Sequence, residues 1–490
     1  MNPAKKPIWK RPVLLGGLGV VLIGGLLLGW FFYAKRASDK ELQDAIAEAD
    51  RLDPGWRLEE LEAKRAVIPA DENSAEQILA IKGLLPTSWM PESLTKPPKP
   101  EGVPINEEAS KSLEQTIYEL PPEVQMSPEQ TRELRAALEI GKEFLAQARA
   151  LGHYRIGRHH ITWSLPFNSP PSFDLPSAVS NLLWYDARVR AQDGDIEGAL
   201  TSVLCILSVA RSYGDEPGEI SQIYRRAQSW VATQALERIL AQGQAPSNSL
   251  ANVQRAFEDE ESQPLFLIGV RGERAEHHRI MEAIETGKLK ASAVYGTLAG
   301  PVETWLEDVT GQAMYRKSHG PWIRIMNQVV EIAKLPVEEQ RSRLNSYLHS
   351  VNENPDIPVQ VRLLMPGVGR FAEGSWRHQT TLRCAIVALA VERFRISHGH
   401  WPDSLTSLVP EYLGKVPLDP FDGKPLRYRL LKDGVIIYSV GPDETDDGGN
   451  LDRENPIKPG TDLGFQLWDV NSRRQPWRPP AKKTVPPDDD

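Results

Sequence analysis

The chain has 490 residues, a formal net charge of −9, and 25% charged against 40% hydrophobic residues. These proportions suit a folded globular chain and exclude wholesale disorder. The acidic balance argues against a nucleic-acid-binding protein, which presents a basic surface. Two cysteines exclude a disulfide framework and a zinc–thiolate module.

A basic stub, residues 1–12, leads into residues 13–33, an uncharged run of 21 residues. A helix rising ~1.5 Å per residue needs about 20 residues to cross a bilayer core, so this run predicts one transmembrane span. Trp30, Phe31, Phe32 and Tyr33 close it with an interfacial aromatic belt. The run is long for a signal peptide and YAKRAS after it offers no small-x-small cleavage site, so it reads as an uncleaved signal anchor. Lys5, Lys6, Lys10 and Arg11 precede it, while Lys35, Arg36 and Lys40 follow among Asp39 and Glu41, which favours a cytoplasmic N-terminus.

Residues 37–370 read as an α-helical ectodomain. Residues 39–85 predict short helices, with Leu42, Ile46 and Ala49 on one face. Six prolines at 86, 91, 97, 98, 100 and 104 mark a linker. Ser127-Pro128-Glu129-Gln130 is a capping box that opens a helix running to about Leu151. His153–Pro176 is aromatic, basic and proline-rich and reads as irregular chain. Ala178–Gln192, the Asp193-Gly194-Asp195 turn, and the stripe Ile196, Ala199, Leu200, Val203, Leu204, Leu207 predict a helical hairpin. ARVRAQDGDIEGAL resembles one tetratricopeptide-type hairpin, but no second copy follows at a 34-residue period. Ile223 to Ile239 forms another amphipathic helix, and further helices are expected at 250–287, 321–334, 337–350 and 375–397. Cys205 and Cys384 lie in apolar helices and read as buried free thiols.

No residue set is arranged for a known chemistry: HExxH, P-loop, G-x-S-x-G and CxxC are all missing. His277 and His278 each have a glutamate four residues away, Glu273 and Glu282, but adjacent histidines diverge by ~100° on a helix and do not share one ion. A solvated helix face with local ion pairs is the simpler reading. His153, His159 and His160 lie near Arg155, Arg158 and Trp163, again as surface polarity.

Residues 371–470 form the most informative part. An apolar helix, LRCAIVALAV, stops at Gly399. Leu426, Tyr428 and Leu430 alternate with arginines as a first strand, Val435–Ser439 makes a second after Lys432-Asp433-Gly434, and Gly464–Trp468 a third. The pieces RFRISHGHWP, SLTSLVPEYL, VPLDPFDGKPLRY, IIYSVGPDETDDGG and TDLGFQLW, in this order, resemble the C-terminal domain of the major pseudopilin of the type II (general) secretion system. The resemblance covers about residues 375–468. The whole layout also resembles a group of functionally uncharacterised, membrane-anchored bacterial proteins. It implies a small α+β module with a short antiparallel sheet and a structural Ca2+ held by the Val440 carbonyl, Asp443, Asp447 and Asp462. Six carboxylates in residues 443–454 suit a hard cation, and equally suit a solvated acidic turn. The N-terminus lacks the processing site of a pseudopilin, and over 300 residues separate the span from the module. Residues 471–490 read as a disordered proline-rich tail.

The expected fold class is therefore mainly α: a single transmembrane helix, a helical-hairpin ectodomain and a pseudopilin-like end. The expected function is a binding or scaffold protein of the bacterial inner membrane, its bulk in the periplasm or exterior. A protein or peptide is the expected partner on the helical surface, with the membrane as the other partner. The alternatives are an accessory component of a type II secretion or pilus-like system, and an extracytoplasmic hydrolase.

Overall fold

The structure, a computed structural model, describes residues 10–86, 112–165, 173–295, 301–453 and 455–479. The protein is mainly helical with one small sheet. The first helix, Lys10–Leu52, does not end at the expected membrane boundary. No proline or glycine lies between Tyr33 and Leu52, and the residues there are good helix formers, so nothing stops propagation. Leu22, Leu26, Leu27 and Trp30 stand exposed along it. It is long and apolar enough to span a membrane.

Its far end is fastened into the ectodomain. Ala45 and Ala49 are fully buried, and so is Trp56 just beyond. Asp53 accepts hydrogen bonds from Arg271 Nε at 3.0 Å and from Arg274 Nη2. Asn327 donates to the Ala45 carbonyl at 3.1 Å, and Lys334 to that of Leu52 at 3.0 Å. Gly320 lets Pro301–Ala333 approach closely, since a Cβ there would stand 2.9 Å from the Leu42 backbone nitrogen.

The helices Pro301–Ala333 and Val359–His398 start earlier than the pattern predicts, and each carries a proline inside, Pro321 and Pro366. Proline deletes one backbone hydrogen bond and costs ~3 kcal/mol in a helix interior. Burial of Trp322, Ile323, Met365 and Val368 on the two sides offsets that cost. The 250–287 region divides into Ser247–Glu261 and Leu265–Glu285 at Pro264. The capping box at Ser127 forms with both reciprocal hydrogen bonds, and its helix ends at Gly141. Asp174–Asp193 and Ile196–Arg211 join through left-handed Gly194, with Asp195 capping the second. Cys205 and Cys384 are buried free thiols.

Val359–His398 passes through both hydrophobic clusters. Its first half (Val361, Met365, Phe371, Trp376) packs with the anchor helix end, Leu265–Glu285 and Pro301–Ala333. Its second half (Leu382 to Phe394) packs with Asp174–Asp193, Ile196–Arg211, Glu219–Gln242 and the sheet. The sheet is antiparallel with order β1 (Arg427–Leu430), β2 (Gly434–Ser439), β3 (Leu463–Trp468). Register pairs Arg427 with Tyr438 and Ser439 with Leu463. Central β2 is buried at every position. Residue 371, expected as a module boundary, thus lies inside one continuous helix, and Val435, Ile437, Phe465 and Leu467 share a core with the helical pairs.

One further expectation changes. Residues 473–475, assigned by composition to a disordered tail, are fixed: Arg473 donates to the Trp468 carbonyl at 2.9 Å and to Glu392 at 3.0 Å, and Arg474 to the Ala191 and Gln192 carbonyls at 2.9 Å. Proline content does not register such specific arginine contacts. Of the proline-rich linker, only Pro86 falls among the described residues, since 87–111 lie outside them; the basic stub and residues 480–490 lie largely outside as well.

Asp53→Ala would leave Arg274, which is 0% exposed, without its counter-charge. We expect a loss of about 3–5 kcal/mol, read as a lowered denaturant midpoint of the full chain in detergent. Asp53→Leu combined with Arg274→Met should recover most of it; a single variant as stable as wild type would show that the joint is not a fastening.

Candidate functional site

Three features gather charged and apolar side chains around open space or into one loop. The first is a groove along Glu219–Gln242. Ile223, Ala227 and Trp230 line it where Arg226, Arg370 and Arg377 also face it, in a space of about 610 Å³. Trp230 continues into a second space with Glu237, Leu451 and Arg453, and from there into a third cleft of about 630 Å³. One exposed face of a single helix therefore runs past Val359–His398 and the loop before β3. Ile220, Ile223 and Trp230 are 56%, 42% and 39% exposed and lie on one stretch of this helix. Arg226 is held by the Phe371 carbonyl at 2.9 Å and by Ser375, and its guanidinium lies over the Phe371 ring.

The second feature is a cleft of about 310 Å³ walled by Leu58, Trp163, Glu216, Glu219, Glu273 and Glu276. Two elements meet there because of Gly272: a Cβ at that position would stand 1.0 Å from the Pro217 carbonyl oxygen, so only glycine permits the crossing. Burial raises Glu216 to about 7, against a hydrogen bond from Ser221. Burial also raises Glu219 to about 7, and the neighbouring charge of Glu273 adds to it. Burial opposes ionisation at Glu273 too, but the adjacent His277, 3.1 Å away, outweighs it and keeps that carboxyl low. Two carboxyls poised near neutrality beside an ionised one are the arrangement that proton transfer uses. Sequence reasoning missed it, because these glutamates come from segments more than 50 residues apart.

The third feature is the acidic loop. The structure brings Asp447 and Asp462 together: Asp462 accepts from the Asp447 amide at 3.4 Å and the Gly449 amide at 2.6 Å. Asp443 accepts from the Thr445 amide at 3.1 Å and the Gly460 amide at 3.3 Å. Val440 sits at the end of β2, its amide bonded to Asp419 at 3.0 Å. Burial raises Asp462, with the charges of Asp446 and Asp447 adding to it against the amide hydrogen bonds, and Asp447 Oδ2 is buried without a partner. Uncompensated oxygens of this kind fit a hard cation. Among the described residues, however, no group of three or more His, Cys, Asp or Glu side chains stands in metal-holding geometry.

The histidines go to separate places. His159 is buried against Ser212 at 3.2 Å. His278 faces His319 at 2.7 Å, and His319 faces Glu285 at 2.9 Å. The expected solvated face of Leu265–Glu285 is instead packed against Trp322 and His319, which arrive from a helix about 40 residues later and leave no local trace.

Comparison of the chain with protein-family models, with curated proteins and with solved structures finds no match.

Glu216 binds its proton more tightly folded (about 7) than in the ordinary carboxyl range (4.5). Its contribution is therefore complete below pH 4.5 and lost as pH rises through about 7. Wild-type thermal stability should fall across that window, by at most about 3 kcal/mol from this group. In Glu216→Gln the slope should flatten; an unchanged slope would show that Glu216 is not held protonated.

Proposed function

We propose that this protein is a membrane-anchored binding and scaffold protein of a bacterial inner membrane, with a cytoplasmic N-terminus and an extracytoplasmic, helical-hairpin ectodomain. The ligand is an extended acidic segment of a partner protein, laid along Glu219–Gln242. The observation that carries this reading is the groove itself. In its first stretch Arg226, Arg370 and Arg377 face a single acid, Glu219, on a chain of net charge −9, and exposed Trp230 stands where that stretch ends. Local positive charge steers an acidic partner, and an exposed tryptophan supplies a large apolar anchor. The unbroken helix from the apolar segment into the ectodomain supports a groove held at a fixed orientation to the membrane. It also makes a secretion or pilus-like subunit one class of partner. The order of helix, acidic loop and strands supports a pseudopilin-like module reused as part of the scaffold.

An extracytoplasmic hydrolase is the second reading, favoured by one observation: Glu216 and Glu219 near neutrality beside ionised Glu273 in a cleft. There a protonated glutamate would act as general acid and Glu273 as general base or charge stabiliser.

A labelled peptide of alternating glutamate and leucine, titrated onto the full chain in detergent, tests the first reading. Binding should weaken about tenfold or more in Trp230→Ala, weaken with salt, and be unchanged in Glu216→Gln, whose carboxyl lines the separate glutamate cleft and not the groove. Binding no stronger than that of a lysine–leucine peptide would sink it.

For the acidic loop we propose a structural Ca2+ on Asp447, Asp462, Asp443 and the Val440 carbonyl. Calcium should raise the thermal midpoint, since it binds only the folded loop, and Asp447→Ala should abolish the rise. No shift in wild type would leave a solvated acidic turn.

A further inference from the structure

The cleft at the far end of the groove holds a charge that the protein does not neutralise. Arg188 is 6% exposed, on the inner side of Asp174–Asp193. Its Nε and Nη1 are buried without hydrogen-bond partners, and no ion pair reaches it among the described residues. Its one specific contact is the Trp184 ring, over which its guanidinium lies at 3.7 Å, with Tyr118 stacked at 4.4 Å on that indole. Three other buried arginines have a carboxylate partner: Arg225 has Glu260, Arg473 has Glu392, Arg274 has Asp53. Arginine is always protonated in ordinary surroundings, and an unpaired buried cation is among the costliest groups in a fold.

The neighbours make the imbalance larger. Arg238 lines the same cleft; its hydrogen bonds go to the neutral carbonyls of Pro121 at 3.1 Å and Val124 at 2.9 Å, and its Nε has no partner. Burial pushes Arg188 well below its ordinary range, and the positive charge of Arg238 adds to that. Arg453 and Lys458 complete the cationic lining, Arg453 already paired with Glu237 at 2.8 Å. The acids on the walls are Glu119 and Asp452, and Asp452 accepts from the Asn455 amide at 2.8 Å. The remaining walls mix apolar and aromatic side chains, among them Leu120, Trp184, Trp230 and Val231, with the polar Gln234, Asn450 and Thr461. At about 630 Å³, the cleft has the size of a small-molecule site.

We propose that this cleft is a binding site for an organic oxyanion, a carboxylate or phosphate ester, whose charged group meets Arg188 and Arg238 and whose flat apolar body lies among Tyr118, Trp230 and Leu120. The anion supplies the counter-charge that the fold omits, and the rings supply contact area. The groove reading bears on this proposal only through what such a ligand is attached to: an acidic peptide that ends here would place its terminal carboxylate on Arg188.

The test uses the full chain in detergent and four probes: benzoate, phenyl phosphate, inorganic phosphate and neutral benzamide. Benzoate or phenyl phosphate at millimolar concentration should raise the thermal midpoint and give saturable heat in calorimetry; the stronger of the two assigns the oxyanion. Inorganic phosphate and benzamide should bind at least about tenfold more weakly, each lacking one half of the recognition. Arg188→Met should melt higher than wild type without ligand, because the unpaired charge is gone, and should lose the benzoate and phenyl phosphate shifts. Arg188→Lys, which keeps the cation, guards against misfolding of the methionine variant: binding weakened at least about fivefold supports the site. Equal shifts with benzamide, no shift with either aromatic anion, or full binding in Arg188→Lys would overturn the proposal. Loss of glutamate–leucine peptide binding with the benzoate shift intact would strike the groove reading alone, and the converse would strike this one.

Discussion

Everything outside the apolar segment is oriented by one buried carboxylate. Asp53 stands one residue past the end of the first helix and meets Arg271 and Arg274, more than 200 residues away in the chain. Arg274 also holds Asn327 at 3.1 Å, and Asn327 returns to the helix backbone at Ala45. The joint is thus a closed circuit of charge and hydrogen bonds around Trp56, which is fully buried. Burying such charges is unfavourable unless every partner is in place, so the circuit specifies one docking angle rather than a range. An apolar contact alone would permit the ectodomain to swivel on its anchor.

From that joint the order passes along Val359–His398. One face of its first half closes the core around the anchor, and its second half supports the sheet and the helical pairs. The groove inherits its shape from this helix, because its floor is Glu219–Gln242 and its wall is the middle of Val359–His398. Asp419 does comparable work at the other end. Buried completely, it accepts from the Phe421 and Val440 amides and the Ser439 hydroxyl and pairs with Arg427, which welds the DPFDGKP loop to β2 and fixes where the acidic loop begins.

Local signals were legible in the sequence and long-range ones were not. The apolar span, the Ser127 capping box, the turn at Gly194 and the three strands each carry their cause within a few residues. The early starts of the helices that contain Pro321 and Pro366 were not legible, because a local helix breaker is there overruled by burial of its neighbours against other elements. Glu216, Glu219 and Glu273 look like ordinary surface acids in sequence, and Arg188 sits in ARVRAQ as one more helix-forming arginine. Their character comes from desolvation, which depends on what covers them. The acidic loop stands between the two cases: its composition announced negative charge, but only the fold shows which oxygens are left over.

The threading of the chain has a temporal side. The first helix is complete well before the arginines that seat its end, which follow Asp53 by some 218 residues. Arg473 and Arg474, which tie down helix ends at Gly243, Ala191 and Gln192, come later still. Until those segments are made, the nascent chain carries Asp53 solvated and its helix pairs unsealed. Closure of such distant contacts is slow relative to local helix formation.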